Sequence, residues 1–214
     1  MLKQTDIQKA RRHLRVADPV MRAVIDAVGP FTLRLERDRF GMLVRSIISQ
    51  QISTSAARSI RKRLQEFAGP EGVKAASVAR FTADQLRSVG LSPQKASYIA
   101  DLAHKVNDGT VDLRQIGRLS DERVVEQLTQ VRGIGRWTAQ MFLIFSLGRL
   151  DVFPHDDLGV RTAIRDRYGL ADLPDKQTAH AIAAPWRPYA SVASWYCWRT
   201  LDRKRETVAK GYPT

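Results

Sequence analysis

The sequence predicts an all-α protein, and three kinds of observation support this fold class. Apolar residues recur at three- and four-residue intervals over long segments, which is the spacing of a buried helix face. Residues that cap helix N-termini precede several of these segments, and proline follows the cap in two of them. No segment alternates apolar and polar residues as a half-buried strand does, and Val111-Asp112-Leu113 is too short to count as one.

The predicted helices follow one another along the chain, each with a recognisable start. In order, the predictions are a helix from Asp18-Pro19 to Val28, a buried helix over 37–49, a helix over 53–67 ended by Gly69-Pro70, a capping box at Thr82-x-x-Gln85, a helix from Ser92-Pro93 to Gly109, and a helix starting at Ser120. Connections between them are short and polar, so we expect one unit, 1–214, without a linker.

The charge of the chain indicates a polyanionic partner. Lys and Arg number 35 against 22 Asp and Glu, which gives +13 on 214 residues. Such an excess favours nucleic acid, although a basic surface without a partner is also common. The single cysteine, Cys197, excludes an internal disulfide and a four-cysteine iron–sulfur site. We expect no secretory signal and a cytoplasmic protein, associated with the nucleoid if it is bacterial.

The strongest local motif is a glycine hairpin between two predicted helices. Gly133 and Gly135, one residue apart, permit a tight reversal and leave backbone N–H groups accessible at a helix start. Arg132 and Arg136 add positive charge beside them. The segment therefore predicts a phosphate-binding hairpin, although a G-x-G can also be a simple connector between helices. The segment around Gly90 resembles it weakly.

Two adjacent carboxylates open the next predicted helix. Pro154 disfavours helix at Phe153, so Asp156 and Asp157 are expected at the N-cap and first turn. Aspartates in that position are often only caps. A carboxylate held ionised there can also stabilise a developing positive charge.

Together these motifs resemble the helix-hairpin-helix, Gly/Pro-rich loop and Asp superfamily of DNA glycosylases. The resemblance is strongest to the 3-methyladenine DNA glycosylase II family and covers about residues 35–205. It rests on 131–139, on Phe153-Pro154 through Arg161, on 47–53, on Trp186 through Tyr189 and on Trp195 through Trp198.

The resemblance implies a base-flipping hydrolase of the N-glycosidic bond. It makes Asp157 the catalytic residue, which stabilises oxocarbenium character or activates water, while Asp156 caps the helix or orients the loop. Relatives that also cut the strand carry a lysine two residues after the second hairpin glycine. That position is Trp137 here, so we expect a monofunctional enzyme.

The resemblance also implies a substrate pocket and a wedge. Trp137 and Trp198 correspond to pocket aromatics that can attract a cationic alkylated purine, and Trp198 could instead be a core residue. Met141 stands where some members have an aromatic residue. Gln50 and Gln51 fall where the family inserts a wedge into the gap left by the flipped base, or they form a helix-terminating loop.

The remaining implications concern ions, partners and subdomains. The backbone carbonyls of Thr129, Val131 and either Gly133 or Ile134 would hold a structural Na or K ion, and no other cofactor is required. We expect damaged double-stranded DNA as partner, no membrane and a monomer. We also expect a hairpin subdomain over 35–150 and a second helical subdomain from 1–34 plus 155–214, flanking a cleft.

Two other functions fit parts of the sequence. A glycosylase for deaminated or otherwise modified bases would use the same motifs. A non-catalytic helix-hairpin-helix DNA-binding protein would explain the charge and the glycines but would leave Asp157 and the tryptophans without roles.

Overall fold

The computed structural model describes residues 2–209, with side chains to residue 203, and the regular secondary structure in this range is helical. The helices are α1 (Gln4–Ala17), α2 (Pro19–Val28), α3 (Arg39–Ser49), α4 (Thr54–Ala68), α5 (Ala75–Val78), α6 (Ala83–Ser88), α7 (Pro93–Asn107), α8 (Asp121–Thr129), α9 (Arg136–Phe142), α10 (Leu158–Tyr168), α11 (Lys176–Ala183) and α12 (Ala190–Ala209). Residues 2–209 contain no β-strand, which confirms the all-α prediction. No helix in the described range is long and apolar enough to cross a membrane.

The helix starts follow the local chemistry of the sequence. Asp18, Ser92 and Ser120 each cap a helix through a side-chain oxygen that accepts a backbone N–H. Thr82 and Gln85 form the predicted reciprocal capping box. The buried helix predicted over 37–49 begins two residues later, at Arg39, because Asp38 is its cap. These predictions succeed because a cap satisfies backbone donors within its own first turn.

The chain divides into two compact units. One consists of Glu36–Leu147, and the other takes the described residues up to Leu35 and from Gly148 onward. The predicted hairpin subdomain, 35–150, has limits close to these boundaries. The first unit, which we call the hairpin unit, holds α3 to α9. The second, which we call the aspartate unit, holds α1, α2 and α10 to α12.

The aspartate unit is built around one buried polar network. Asp18 is 5% exposed, and it accepts hydrogen bonds from Val20 N, from Trp186 Nε1 at 2.9 Å and from the hydroxyl of Tyr168. Burial and the hydrogen bond to Asp18 raise the pKa of Tyr168 far above its usual range. Because every partner of the buried carboxylate is a donor, the network fixes how α2 and α10 pack against the segment before α12. Tyr196 on α12 is fully buried in the same core.

The core of the hairpin unit is apolar. Leu43, Ile47, Leu86, Ile99 and Phe142 are fully buried and come from α3, α6, α7 and α9. Each such side chain contributes about 1.5–3 kcal/mol by leaving water. After Phe142 the chain continues without a break into a π-helical segment, Leu143–Leu147.

Candidate active site

Asp157 caps α10 and is nearly buried. Its Oδ1 accepts the backbone N–H of Val160 and the indole Nε1–H of Trp198, both at 2.8 Å. Only 8% of the residue is exposed. The two bonds hold the carboxylate in one orientation at the positive end of the α10 dipole.

Asp156 does not cap the helix, so that prediction is wrong by one residue. Its side chain is 67% exposed and pairs with Nε2 of His155 at 3.2 Å. The reason lies in the turn at Pro154, whose carbonyl accepts the N–H of Asp157 at 2.9 Å. This turn places Asp156 at a corner, and the helix begins one residue later.

Gly159 allows Trp198 to reach Asp157. A Cβ on Gly159 would lie 3.0 Å from Cδ1 of Trp198 and 3.1 Å from Oδ1 of Asp157. Sequence reasoning missed this role, although a glycine inside a first helical turn costs about 1 kcal/mol relative to alanine and so calls for a reason. It also missed Leu158, which is 65% exposed and presents an apolar surface directly after the carboxylate.

Cys197 lies in the same environment but supplies no nucleophile. Its thiol is fully buried, and burial together with the charges of Asp18 and Asp157 raises its pKa to about 12. A thiol with such a pKa is neutral at physiological pH. Of these two groups, Asp157 is therefore the one that can take part in a reaction at this helix start.

The glycine hairpin joins α8 to α9. Gly133 has φ +80°, a left-handed conformation that favours glycine, and a Cβ there would lie 2.0 Å from the ring of Tyr98. Val131 and Ile134 are buried and fasten the turn to the core. Gly135 is the N-cap of α9 and offers no side-chain acceptor, so the helix start faces outward without a cap of its own.

The two hairpin arginines differ in their surroundings. The backbone N–H of Arg132 donates to Oδ2 of Asp101 at 2.9 Å, and its guanidinium lies 3.5 Å from the same carboxylate. Burial of Asp101 raises its pKa, but the hydrogen bonds from Lys105 and Arg132 outweigh burial and lower it overall. Asp101 thus offsets part of the charge of Arg132, whereas the side chain of Arg136 is exposed at the first position of α9.

The loop after α3 is tied to the hairpin. Nε2 of Gln50 donates to the carbonyl of Gly133 at 2.8 Å. Gln51, the predicted wedge tip, is exposed and has φ +54°, an unfavourable conformation for a residue with a side chain. Nζ of Lys95 donates to the carbonyls of Ile48 and Gln50 at 2.8 and 2.5 Å, and burial lowers its pKa. Sequence reasoning missed Lys95, because its partners are 45 or more residues away.

The predicted pocket residues lie on two different helices. Trp137, in the first turn of α9, is 41% exposed, and Met141, one turn later, is 6% exposed. Trp198 lies on α12, where its indole N–H serves Asp157. The structure therefore gives Trp198 a role in holding the carboxylate that the sequence did not suggest.

Two of the carbonyl oxygens predicted to hold a cation already accept hydrogen bonds within the protein. Val131 accepts the N–H of Ile134 at 3.1 Å, and Gly133 accepts the Gln50 amide. Carbonyl oxygens have two lone pairs, so the set still fits a monovalent ion, with Ile134 rather than Gly133 as the less obstructed alternative. Within the described part of the chain, no group of three or more His, Cys, Asp or Glu is placed to hold a metal.

Comparison with known proteins identifies the family. The model of the HhH-GPD superfamily of base excision DNA repair proteins matches residues 44–188. The chain belongs to this superfamily. It is 30% identical to the alkylbase DNA glycosidase-like protein mag2 of Schizosaccharomyces pombe, over 95% of this chain and 99% of that one. It spans 61% of a Bacillus subtilis relative to which it is 34% identical.

Two solved structures resemble the HhH-GPD chain closely. The 3-methyladenine DNA glycosylase Mag1 of S. pombe, in complex with abasic DNA, has a TM-score of 0.82 at 30% identity and covers 91% of this chain and 97% of its own. The DNA-3-methyladenine glycosidase of Bacillus halodurans has a TM-score of 0.81 at 32% identity, and the match covers 94% of this chain and 92% of that one. These matches confirm the family inferred from the motifs.

Proposed function

We propose that the protein is a monofunctional DNA glycosylase that releases alkylated purines in base excision repair, with Asp157 as its catalytic residue. The observation that carries the proposal is the Asp157 carboxylate, nearly buried at the start of α10 and held by Val160 and Trp198. Family membership and the S. pombe and B. halodurans relatives support the reaction.

The position of Asp157 suits the charge that develops during base release. Cleavage of the N-glycosidic bond leaves oxocarbenium character on the deoxyribose, and a fixed carboxylate stabilises that charge without having to reorient. The same carboxylate can accept a proton from the attacking water. Trp198 acts through Asp157 as a positioning residue, because its indole N–H fixes the plane of the carboxylate.

Trp137 suits recognition of a damaged base. Alkylation at N3 or N7 gives a purine a positive charge, and an exposed indole face attracts a cation by about 0.5–2 kcal/mol. A normal neutral base lacks this attraction. Trp137 also stands where strand-cutting relatives have a lysine, so no amine is available there for a Schiff base, and an intact abasic strand is the expected product.

The hairpin unit would bind the DNA backbone. The uncapped start of α9, the exposed side chain of Arg136 and the net positive charge favour a phosphate contact that does not depend on sequence. The loop at Gln50 and Gln51, fastened to Gly133, would fill the gap left by the flipped base. Damaged duplex DNA is therefore the proposed partner.

Asp157→Asn tests the catalytic role. We expect base release from methylated duplex DNA to fall about 100-fold or more, since the amide keeps the shape but loses the charge. Asp156→Asn is the matched control, because it removes the neighbouring exposed carboxylate and should change the rate little. Equal rates for wild type and Asp157→Asn, with thermal melts showing both folded, would overturn the proposal.

The choice of substrate is tested by a panel of lesions. Duplexes containing 3-methyladenine, 7-methylguanine, hypoxanthine, ethenoadenine or uracil are compared at equal enzyme concentration, and intact abasic strands are separated from cut ones. We expect the two cationic purines to be released fastest. Faster release of hypoxanthine or uracil would favour a glycosylase for deaminated bases instead.

A further inference from the structure

Helices α1 and α2 line an open, arginine-rich surface cavity that the glycosylase reaction does not use. It has a volume of about 480 Å³ and opens to solvent. We call it the arginine cavity, and its lining is Gln8, Arg11, Arg12, Arg15, Val16 and Arg22. Its size is in the range of sites for small ligands.

The charge of the cavity is largely uncompensated. Arg15 pairs with Asp26 at 2.5 Å, but among the described residues no carboxylate lies within ion-pair distance of Arg11, Arg12 or Arg22. Exposed arginines elsewhere do find carboxylates, as Arg123 does with Glu126. Four guanidinium groups around one cavity repel one another, so their clustering is unfavourable unless an anion is present.

Contacts within the protein also hold two of the cavity arginines, Arg11 and Arg22, in place. Arg11 lies beside Tyr196, whose hydroxyl donates to the carbonyl of Gly29 at 3.0 Å. Nε of Arg11 is buried and has no hydrogen-bond acceptor in the described part of the chain. Nε of Arg22 donates to the carbonyl of Arg15 at 2.8 Å, which fixes the start of its side chain.

We propose that the arginine cavity is a second phosphate-binding site, distinct from the hairpin, that takes two or more phosphate oxyanions. Guanidinium groups match phosphate with two parallel hydrogen bonds, and several anchored guanidinium groups favour a ligand carrying more than one phosphate. The phosphates would belong either to DNA backbone away from the lesion or to a free polyphosphate. The proposal does not depend on base release, because it concerns binding alone.

The test compares wild type with Arg12→Gln/Arg22→Gln and with a control that loses the same charge, Arg165→Gln/Lys176→Gln. The control residues lie on α10 and α11, outside the cavity. Binding of tripolyphosphate is measured by calorimetry. We expect saturable binding to wild type and to the control, and binding at least about tenfold weaker to the cavity variant, the effect of losing roughly one charged hydrogen bond. Thermal melts establish that the variants fold, and if the double cavity variant does not, the single Arg12→Gln variant, at an exposed residue, replaces it.

A second arm identifies the source of the phosphates. The salt dependence of binding to an undamaged 30-base-pair duplex is measured for the same proteins. A slope reduced by about 1.8 in the cavity variant alone assigns two DNA phosphates to the cavity, at about 0.9 each. An unchanged slope with weakened tripolyphosphate binding assigns a free polyphosphate. Equal behaviour of cavity variant and control in both arms overturns the proposal, whatever the result for Asp157→Asn.

Discussion

Two turns in the hairpin unit have the same arrangement of helix, glycine and helix, but they differ at the start of the second helix. Each connects two helices through a glycine of positive φ, Gly90 between α6 and α7 at +95° and Gly133 between α8 and α9 at +80°. After Gly90, Ser92 caps α7 by accepting the N–H of Lys95 at 3.2 Å. After Gly133, the cap position is Gly135, which has no side chain to offer.

The difference decides what the two helix starts can bind. The first turn of a helix presents N–H groups that need acceptors. At α7 the serine hydroxyl satisfies one of them, and Pro93 removes another because it has no N–H. At α9 neither device is present, so the turn suits an external oxyanion. One fold element thus serves as a connector in the first case and as a candidate phosphate site in the second.

Gly133→Ala should have the largest effect on DNA binding. The new Cβ would require a left-handed conformation and would lie 2.0 Å from the ring of Tyr98, so the hairpin backbone must shift. We expect affinity for undamaged duplexes to fall about tenfold or more, equally for all sequences, because phosphate contacts position the protein without reading bases. Fluorescence anisotropy with several unrelated duplexes measures this.

Gly90→Ala is the matched control in the other turn. Its Cβ would meet the end of the Arg63 side chain, at 2.4 Å from a guanidinium nitrogen, and that side chain can move away. The strained φ should lower stability by about 1–3 kcal/mol while affinity for duplex DNA stays close to wild type. A loss of affinity as large as that of Gly133→Ala would show that the two turns do not differ in function.

Gly135→Ser gives the second turn the cap of the first, with a smaller expected effect. The position has φ −93° and no atom within 4 Å of the new Cβ, so the serine fits without strain. Its hydroxyl would compete with a phosphate for the first-turn N–H groups. We expect a few-fold loss of duplex affinity with stability raised by a few tenths of a kcal/mol, measured by anisotropy and thermal melts.

The reciprocal change is Ser92→Ala. It removes the cap of α7 and should lower stability by about 1 kcal/mol without altering duplex affinity. A rise in affinity for Gly135→Ser, or an equal loss for Ser92→Ala, would contradict the distinction between the two helix starts.

The sequence predicted these helix starts well because caps are local. Asp18, Thr82, Ser92 and Ser120 each act within three residues of their own position, so the pattern contains the whole interaction. The exception is the Asp156 and Asp157 pair, where the turn at Pro154 chooses between two adjacent carboxylates. That choice depends on backbone geometry that neither residue type specifies.

The contacts that hold the candidate site were beyond prediction because they join distant parts of the chain. Trp198 and Asp157 are 41 residues apart, and Gln50 and Gly133 are 83 apart. The resemblance gave Asp157 and Trp137 their roles, whereas the hairpin glycines were assigned theirs from the local sequence, and all of these roles stay predictions until the variants are measured. Only the folded chain reveals that Trp198 serves the carboxylate.

Lys95→Met should leave the affinity for duplex DNA almost unchanged, and it tests whether the turn around Gly90 supports the hairpin at Gly133. Lys95 lies in the first turn of α7 and holds the carbonyls of Ile48 and Gln50, while Gln50 holds Gly133. Without the ammonium, the loop carrying the strained Gln51 loses two hydrogen bonds to a charged group, each worth about 1.5–3 kcal/mol when made. We expect base release to slow a few-fold in single-turnover assays, with affinity for undamaged duplex almost unchanged, because the wedge acts only when a base leaves the stack.

Lys62→Met, on an exposed lysine paired with Glu66, is the control, and Lys95→Arg should restore part of the rate. The contrary result is that Lys95→Met weakens binding to undamaged DNA as much as it slows base release. In that case the hydrogen bonds from Lys95 would support the phosphate contact itself, and the turn around Gly90 would be part of the DNA-binding element rather than a connector beside it.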